Sequence, residues 1–227
     1  MRVIIFGATG MVGQGVLREC LLDAGVERVL AVGRTATPQQ EEKLHDLVVA
    51  NFLDFSAVES ELSGYDACFF CLGITSAGMT EADYRRVTYD FALAAAQTLV
   101  RINPEMTFIF VSGAGADSTG RGRVMWARVK GQTENALLAL PFKGVYVFRP
   151  AAIQPLHGIR SKTAWINTAY AVLGWLYPVF KWLAPDYVTT TEQIGRAMLA
   201  VARRGAPKRV LENADINRLR GAICYAS

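Results

Sequence analysis

Three glycines spaced by three, Gly7, Gly10 and Gly13, follow the apolar run Arg2–Phe6 directly and lead into helically spaced apolar residues, Met11, Val12, Val16, Leu17, Cys20 and Leu21. The run reads as a strand, the spacing as a helix, and Gly25 as its stop. A strand that passes into a helix through Gly-x-x-Gly-x-x-Gly leaves few folds open. Gly7 permits the tight turn. Gly10 lets a ligand come close to the backbone, since any side chain there would intrude. Gly13 lets the helix pack close to the sheet. The start of the helix offers unpaired N–H groups and the positive end of its dipole, which suits phosphate oxygens. Thr9 adds a hydroxyl, and Met11 and Val12 add backbone N–H groups. The turn is therefore expected to hold the pyrophosphate of a dinucleotide.

Further strands are expected at 28–32, 46–50, 67–71, Thr107–Val111 and 144–148, with helices at 81–100 and 123–140. The strands are short, apolar and not alternating, as strands covered on both faces are. Helices between them make the connections βαβ and the sheet parallel. The fold class is α/β, a doubly wound Rossmann sheet of order 3-2-1-4-5-6, with a small, mostly helical C-terminal extension. The chain reads as one domain over 1–227, with 151–227 as the substrate-side extension. The loops after residues 6, 32, 50, 71, 111 and 148 gather at the carboxyl ends of the strands, where ligands bind in this fold.

Composition narrows the classes. With 227 residues, 52% hydrophobic and 19% charged, the chain can bury a core, and disorder is excluded. The net charge of +4 is spread along the chain, so no nucleic-acid partner is expected. The chain enters a strand by residue 2, which leaves no secretory signal, and a cytoplasmic location is expected, with attachment to a membrane surface as a variant of it. Cys68 and Cys71 form a C-x-x-C, but on one strand residues three apart face opposite ways. They read as small core residues, and no metal is expected.

The end of the second strand selects the dinucleotide. An acidic residue there would bind both ribose hydroxyls and repel a 2′-phosphate. The chain has Val32-Gly33-Arg34-Thr35 instead. A guanidinium fork suits a phosphate, so NADP is expected over NAD. Asp54 either accepts the adenine amino group or caps a turn in Asp54-Phe55-Ser56. The backbone of Cys71, Leu72 and Gly73 is expected under the adenine-ribose side.

The glycine turn, Cys71-Leu72-Gly73, Val111-Ser112, the segment carrying Lys130 and Phe148-Arg149-Pro150 together resemble atypical and extended short-chain dehydrogenases/reductases. The similarity is greatest to the Tat-interacting-protein branch, whose bacterial members often carry the label nucleoside-diphosphate-sugar epimerase. Val129-Lys130-Gly131 with Glu134, and the stretch from Ala197 to Asn213, belong to the same likeness. It implies a serine that polarises the substrate oxygen, a tyrosine that transfers the proton, and a lysine four residues on that holds the nicotinamide ribose and lowers the tyrosine pKa. Ser112 and Lys130 match. Trp126 stands at the tyrosine position, and its indole N–H is not acidic at neutral pH. Thr88 stands where asparagine is common. The likeness also places Pro150 near the nicotinamide and the Ile153 backbone at its carboxamide.

Three accounts of the missing tyrosine stand open. Tyr84, Tyr89, Thr75 or a water held by Lys130 supplies the acid; or the protein binds NADP(H) without turnover; or another tyrosine docks in place of Trp126. The chain is thus read as an NADP(H)-dependent oxidoreductase or epimerase-like enzyme acting on a small carbonyl or sugar-like substrate, against a redox-silent NADP(H)-sensing module. The glycine-rich loop 113–122 is either a mobile exposed loop or one that closes over a ligand through Asp117 and Arg121. The apolar segment 164–184 is expected to pack as a helix over the domain or at a homodimer seam, with contact to a membrane surface as a rival reading.

Overall fold

The computed structural model describes residues 1–159 and 184–219. The main sheet is formed by β1 (Arg2–Phe6), β2 (Arg28–Gly33), β3 (Leu44–Val48), β4 (Ala67–Phe70), β5 (Thr107–Val111), β6 (Gly144–Arg149) and β9 (Val210–Glu212). Its order is β3-β2-β1-β4-β5-β6-β9, and every pairing is parallel. All carboxyl ends therefore lie on one edge. A short second pairing joins β7 (Ala152–Gln154) to β8 (Val188–Thr190).

The helices are α1 (Met11–Leu22), α2 (Glu59–Leu62), α3 (Glu81–Arg85), α4 (Phe91–Ile102), α5 (Met125–Leu138), α6 (Thr191–Arg204) and α7 (Asn213–Arg218). Strands β1 and β4 are buried on both faces, so each contributes to two cores. One core gathers Phe6, Phe52, Phe55, Phe70 and Phe108 with the inner face of α4. Each buried aromatic side chain adds ~1.5–3 kcal/mol by leaving water. The other core gathers Val16, Leu17 and Cys20 of α1 with Ile194, Met198 and Val201 of α6. Cys68 belongs to the first core, and Cys71, just past the end of β4, packs on the second.

Helices α1 and α6 meet at two glycines. A β-carbon on Gly15 would lie 2.5 Å from Thr191 Cβ, and one on Gly195 would lie 2.8 Å from Glu19 Cγ. The buried Glu19 pairs with Arg18 and Arg196, and Asp23 with Arg203, so charge as well as shape fixes the crossing. The stretch after residue 150 is thus woven into the main body: α6 covers α1, and β9 adds a strand beside β6.

Several boundaries differ from expectation. The strand expected at 46–50 is Leu44–Val48, because it is an edge strand whose register is set by β2, Val29 opposite Leu44 and Gly33 opposite Val48, rather than by its own apolar run. The strand expected at 67–71 ends at Phe70. The helix expected at 81–100 runs on to Ile102 and is interrupted by a π turn at Arg86–Asp90. The apolar segment 164–184 lies outside the described residues except for Ala184, as does Cys224. Among the described residues no helix is long and apolar enough to cross a membrane.

Candidate dinucleotide and catalytic site

The glycine turn is locked to its neighbours. Gly7 has φ +78°, and a β-carbon on it would lie 2.8 Å from the Leu72 backbone. The Gly7 N–H donates to Val32 O at 3.3 Å, which ties the turn to the end of β2. Gly10 caps α1 with no side chain, and its N–H closes the turn onto Gly7 O at 2.9 Å. A β-carbon on Gly10 would meet nothing closer than that oxygen, at 3.3 Å. On Gly13 it would lie 2.0 Å from Gly7 O. The third glycine therefore makes room for the turn itself, rather than for the sheet as the sequence suggested.

No acidic residue stands in the first turn of α1, so the N–H groups of Met11 and Val12, which lack intrahelical partners, meet no carboxylate of their own helix. Thr9 is half-buried, and its carbonyl accepts from Gln14 Nε2 at 3.1 Å. A backbone cradle without side chains at the positive end of a twelve-residue helix fits a diphosphate. Gly73 opens the neighbouring wall, with nothing within 4 Å of where its β-carbon would be. Cys71 donates its N–H to Phe6 O at 2.9 Å. Burial pushes the Cys68 and Cys71 thiols up, which leaves them inert at neutral pH.

Arg34 is exposed at the end of β2 and makes no ion pair or hydrogen bond with the described residues. The loop beyond it is pinned by Asp46, which accepts from the Thr37 N–H at 2.9 Å and the Thr37 hydroxyl at 3.0 Å. Of the two readings of Asp54, the turn cap is the one observed. Its Oδ1 accepts from Ser56 N at 2.9 Å, and that bond holds its carboxyl below the usual carboxylate range.

Further along the same edge, Ser112 follows β5, and Lys130 on α5 reaches the carbonyl just before it. Lys130 Nζ donates to Val111 O at 3.5 Å and lies 5.5 Å from the centre of the Phe110 ring. Burial brings its pKa down to about 8, against the opposing pull of Glu134. Ser112 is buried and donates its hydroxyl to Glu134 Oε1 in a short hydrogen bond. Glu134 also receives the Arg149 fork, Nε to Oε1 at 3.1 Å and Nη2 to Oε2. Arg149 continues to Glu212 at 3.0 Å and to Ser118 Oγ at 2.6 Å.

Glu134 and Arg149 enter the family likeness as residues only, and the sequence does not reveal the network they form. The available signal was a glutamate one turn beyond Lys130 on the same helix face. The network has a chemical consequence. A carboxylate bound to a guanidinium only accepts, so the Ser112 proton points at Glu134 and its Oγ offers lone pairs elsewhere. In this arrangement Ser112 does not donate to a substrate oxygen.

Trp126 is half-buried, and a β-carbon on Gly115 would lie 3.5 Å from its ring. No tyrosine replaces it on α5. Tyr84 is buried, and burial raises its pKa further. It neighbours the buried Thr88 hydroxyl in the π turn, which has no hydrogen bond of good geometry. π turns of this kind often mark functional sites. Tyr89 lies under Arg85, 4.1 Å from guanidinium to ring centre. Thr75 Oγ1 accepts from Ala77 N at 3.3 Å within its own loop.

The loop 113–122 is folded onto α5. Asp117 O approaches Gly131 so closely that a β-carbon there would lie 1.6 Å away, and Asp117 N donates to Ala127 O at 2.9 Å. The Asp117 carboxylate is spent on its own loop, accepting from Thr119 Oγ1 and from the Gly122 and Arg121 N–H groups. Arg121 lines an open groove of about 460 Å³ with Arg85, Tyr89, Gln132 and Asn135, on the side of α5 turned from Lys130. Pro150 is buried, its carbonyl accepting from Ala114 N at 2.9 Å, and Ile153 sits in β7 opposite Thr189.

Comparison with known proteins fits this geometry. A family model described as NAD(P)H-binding matches residues 7–138. The chain is 27% identical over 155 residues to Protein FMP52-1, mitochondrial, of Scheffersomyces stipitis, covering 67% of each chain. It is 29% identical over 153 residues to Protein HTATIP2 of Rattus norvegicus, covering 66% of this chain and 62% of that one. The matched stretch thus spans about two thirds or less of these relatives. The fold is similar to that of the Bordetella bronchiseptica enzyme WbmF in complex with NAD+, with a TM-score of 0.65 at 17% identity, covering 95% of this chain and 76% of that one. The expected cytoplasmic location is overturned by the relatives, since FMP52-1 and further fungal FMP52 proteins are mitochondrial.

Proposed function

The chain belongs to the NAD(P)H-binding family as an atypical short-chain dehydrogenase/reductase, and from that premise we propose that it is an NADP(H)-dependent oxidoreductase or epimerase-like enzyme acting on a small carbonyl or sugar-like substrate. The observation that carries this reading is Lys130, an amine held beside Ser112 at the carboxyl end of β5 by one long hydrogen bond. The glycine turn binds the pyrophosphate through the Met11 and Val12 N–H groups, with Thr9 beside them. Arg34 receives the 2′-phosphate, and its freedom from internal partners supports that role. The backbone of Cys71, Leu72 and Gly73 borders the adenosine half, and Pro150 and Ile153 border the nicotinamide half.

Bound nicotinamide supplies or accepts a hydride. Lys130 orients it, and the substrate oxygen is held beside Ser112 and Lys130. Trp126 walls the pocket and keeps water from the reacting carbon. Purified protein with NADPH and a panel of small aldehydes, ketones and keto-sugars tests this reading. Loss of NADPH absorbance that depends on both substrate and Lys130 is the expected result.

One observation favours a second reading. With Trp126 in place of tyrosine, the protein acts as a redox-silent module that senses NADP(H). It then binds NADPH, turns over nothing in the panel, and gains turnover only on Trp126→Tyr. Pairing through 164–184, with a second copy or a membrane surface, is a separate proposal, and flotation with liposomes beside light scattering decides it.

A further inference from the structure

Resting on the oxidoreductase reading, we propose that Lys130 Nζ itself exchanges the proton with the reacting oxygen, in place of the tyrosine that the family likeness would put at Trp126. The other groups of the site are disqualified one by one. The Trp126 indole gives up no proton at neutral pH. The Ser112 proton is committed to Glu134, whose other bonds come from Arg149. Tyr84 is buried and made less acidic by that burial, and Tyr89 lies under Arg85 on the far side of α5.

Lys130 has what they lack. Its single hydrogen bond among the described residues is the 3.5 Å contact to Val111 O, which leaves N–H groups to aim at a substrate oxygen. It stands one helical turn from Trp126, and the carbonyl it touches, Val111 O, directly precedes Ser112; a carbonyl oxygen at this end of β5 meets the Lys130 donor, and an alcohol there also finds a Ser112 lone pair to accept its own proton. With its pKa brought down to about 8, the amine exists in both forms near neutral pH, as a proton carrier must.

The surroundings account for that value. Glu134 on α5 is the charged group acting on Lys130, and it is already bound by Arg149 of β6. Strand β5 presents Phe110 and Val111, and Ser112 follows it, none of them charged. On α3, Glu81 and Arg85 are held by Arg128 and Gln132.

In reduction, the carbonyl carbon gains the hydride and the oxygen gains a proton from the Lys130 ammonium. One N–H bond breaks and one O–H bond forms. The neutral amine left behind regains its proton from water. Oxidation of an alcohol runs the same path in reverse, with the neutral amine as base.

Two measurements test the proposal. Competitive acetylation of the native full-length protein from pH 6 to 10, read by mass spectrometry, needs neither variant nor substrate. Lys130 is expected to titrate near pH 8, and titration with the bulk of the lysines above pH 10 overturns the proposal. The second measurement is the pH profile of carbonyl reduction by wild type and Lys130→Arg, with NADPH affinity measured alongside. Arginine keeps the charge and the donors but does not release a proton in this range. The expected outcome is NADPH affinity within about threefold and turnover lower by about a hundredfold or more, with the wild-type limb near pH 8 gone. Turnover by Lys130→Arg within tenfold of wild type, limb intact, overturns the proposal alone. Absence of turnover by wild type that still binds NADPH overturns the oxidoreductase reading, and this proposal with it.

Discussion

Gly13 and Gly7 share one small volume, a β-carbon on residue 13 falling 2.0 Å from the Gly7 carbonyl oxygen. The turn and the first helix are therefore one unit, and packing and binding separate by position within it. Gly13→Ala is expected to destabilise the fold by ~1–3 kcal/mol through overpacking and to lose dinucleotide affinity with it. Gly10→Ala, whose added methyl presses on Gly7 O at 3.3 Å and on nothing else within 4 Å, is expected to lose far less in melting temperature than Gly13→Ala and still lose at least about tenfold in NADPH affinity. Thermal unfolding beside NADPH titration checks both, and equal melting temperatures for the two variants would contradict the assignment.

Arg34 is exposed and uncommitted at the end of β2. A hydrogen bond to a charged group contributes ~1.5–3 kcal/mol, so Arg34→Gln is expected to weaken NADPH binding roughly tenfold to a hundredfold. NADH binding should change little. Fluorescence titration of the two reduced dinucleotides against both proteins reads the difference.

Glu134 and Arg149 form a buried ion pair that ties the end of β6 to α5 and, through Ser112, to β5. Removing one partner strands a buried charge. Arg149→Met is expected to cost ~3–5 kcal/mol in urea unfolding. The double variant Arg149→Met, Glu134→Leu should recover a large part of that loss, because no uncompensated charge remains. If the double variant is as unstable as the sum of the single ones, the pair is not the source of the cost.

Asp23 and Arg203 join the end of α1 to α6 at 2.6 Å. Burial raises the Asp23 pKa, but the Arg203 and Gly25 hydrogen bonds outweigh it and hold the carboxyl below its usual value. A folded-state pKa below the unfolded one stabilises the fold above the unfolded value, about pH 3.9, and that stabilisation disappears as pH falls through the folded one. The gap in melting temperature between wild type and Arg203→Met should accordingly be widest near neutrality and shrink below about pH 4. A gap that widens in acid contradicts the pairing.

The order of the first six strands was legible because the glycine turn fixes the first crossover and the apolar runs repeat with helical segments between them. The three-residue strands β7, β8 and β9 were not, since so short a run carries no period. The π turn at Arg86–Asp90 was hidden because its residues continue the helical composition on either side. Around the site, the family likeness named Ser112 and Lys130, while the Ser112–Glu134–Arg149 network was not legible. Its members lie far apart in sequence, and no local pattern says which carboxylate meets which guanidinium. The glycines of the 113–122 loop suggested mobility, and only Gly131, on another element, explains why the loop is docked. The pairing of Gly15 with Gly195 across two helices was hidden for the same reason.

The central claim is that backbone amides at the start of α1 hold the pyrophosphate of NADP(H). Isothermal titration of the purified protein with NADP+ and with NAD+ tests it most directly. The account predicts saturable one-to-one binding of both, with NADP+ roughly tenfold to a hundredfold tighter. No heat of binding from either dinucleotide at millimolar concentration would contradict it.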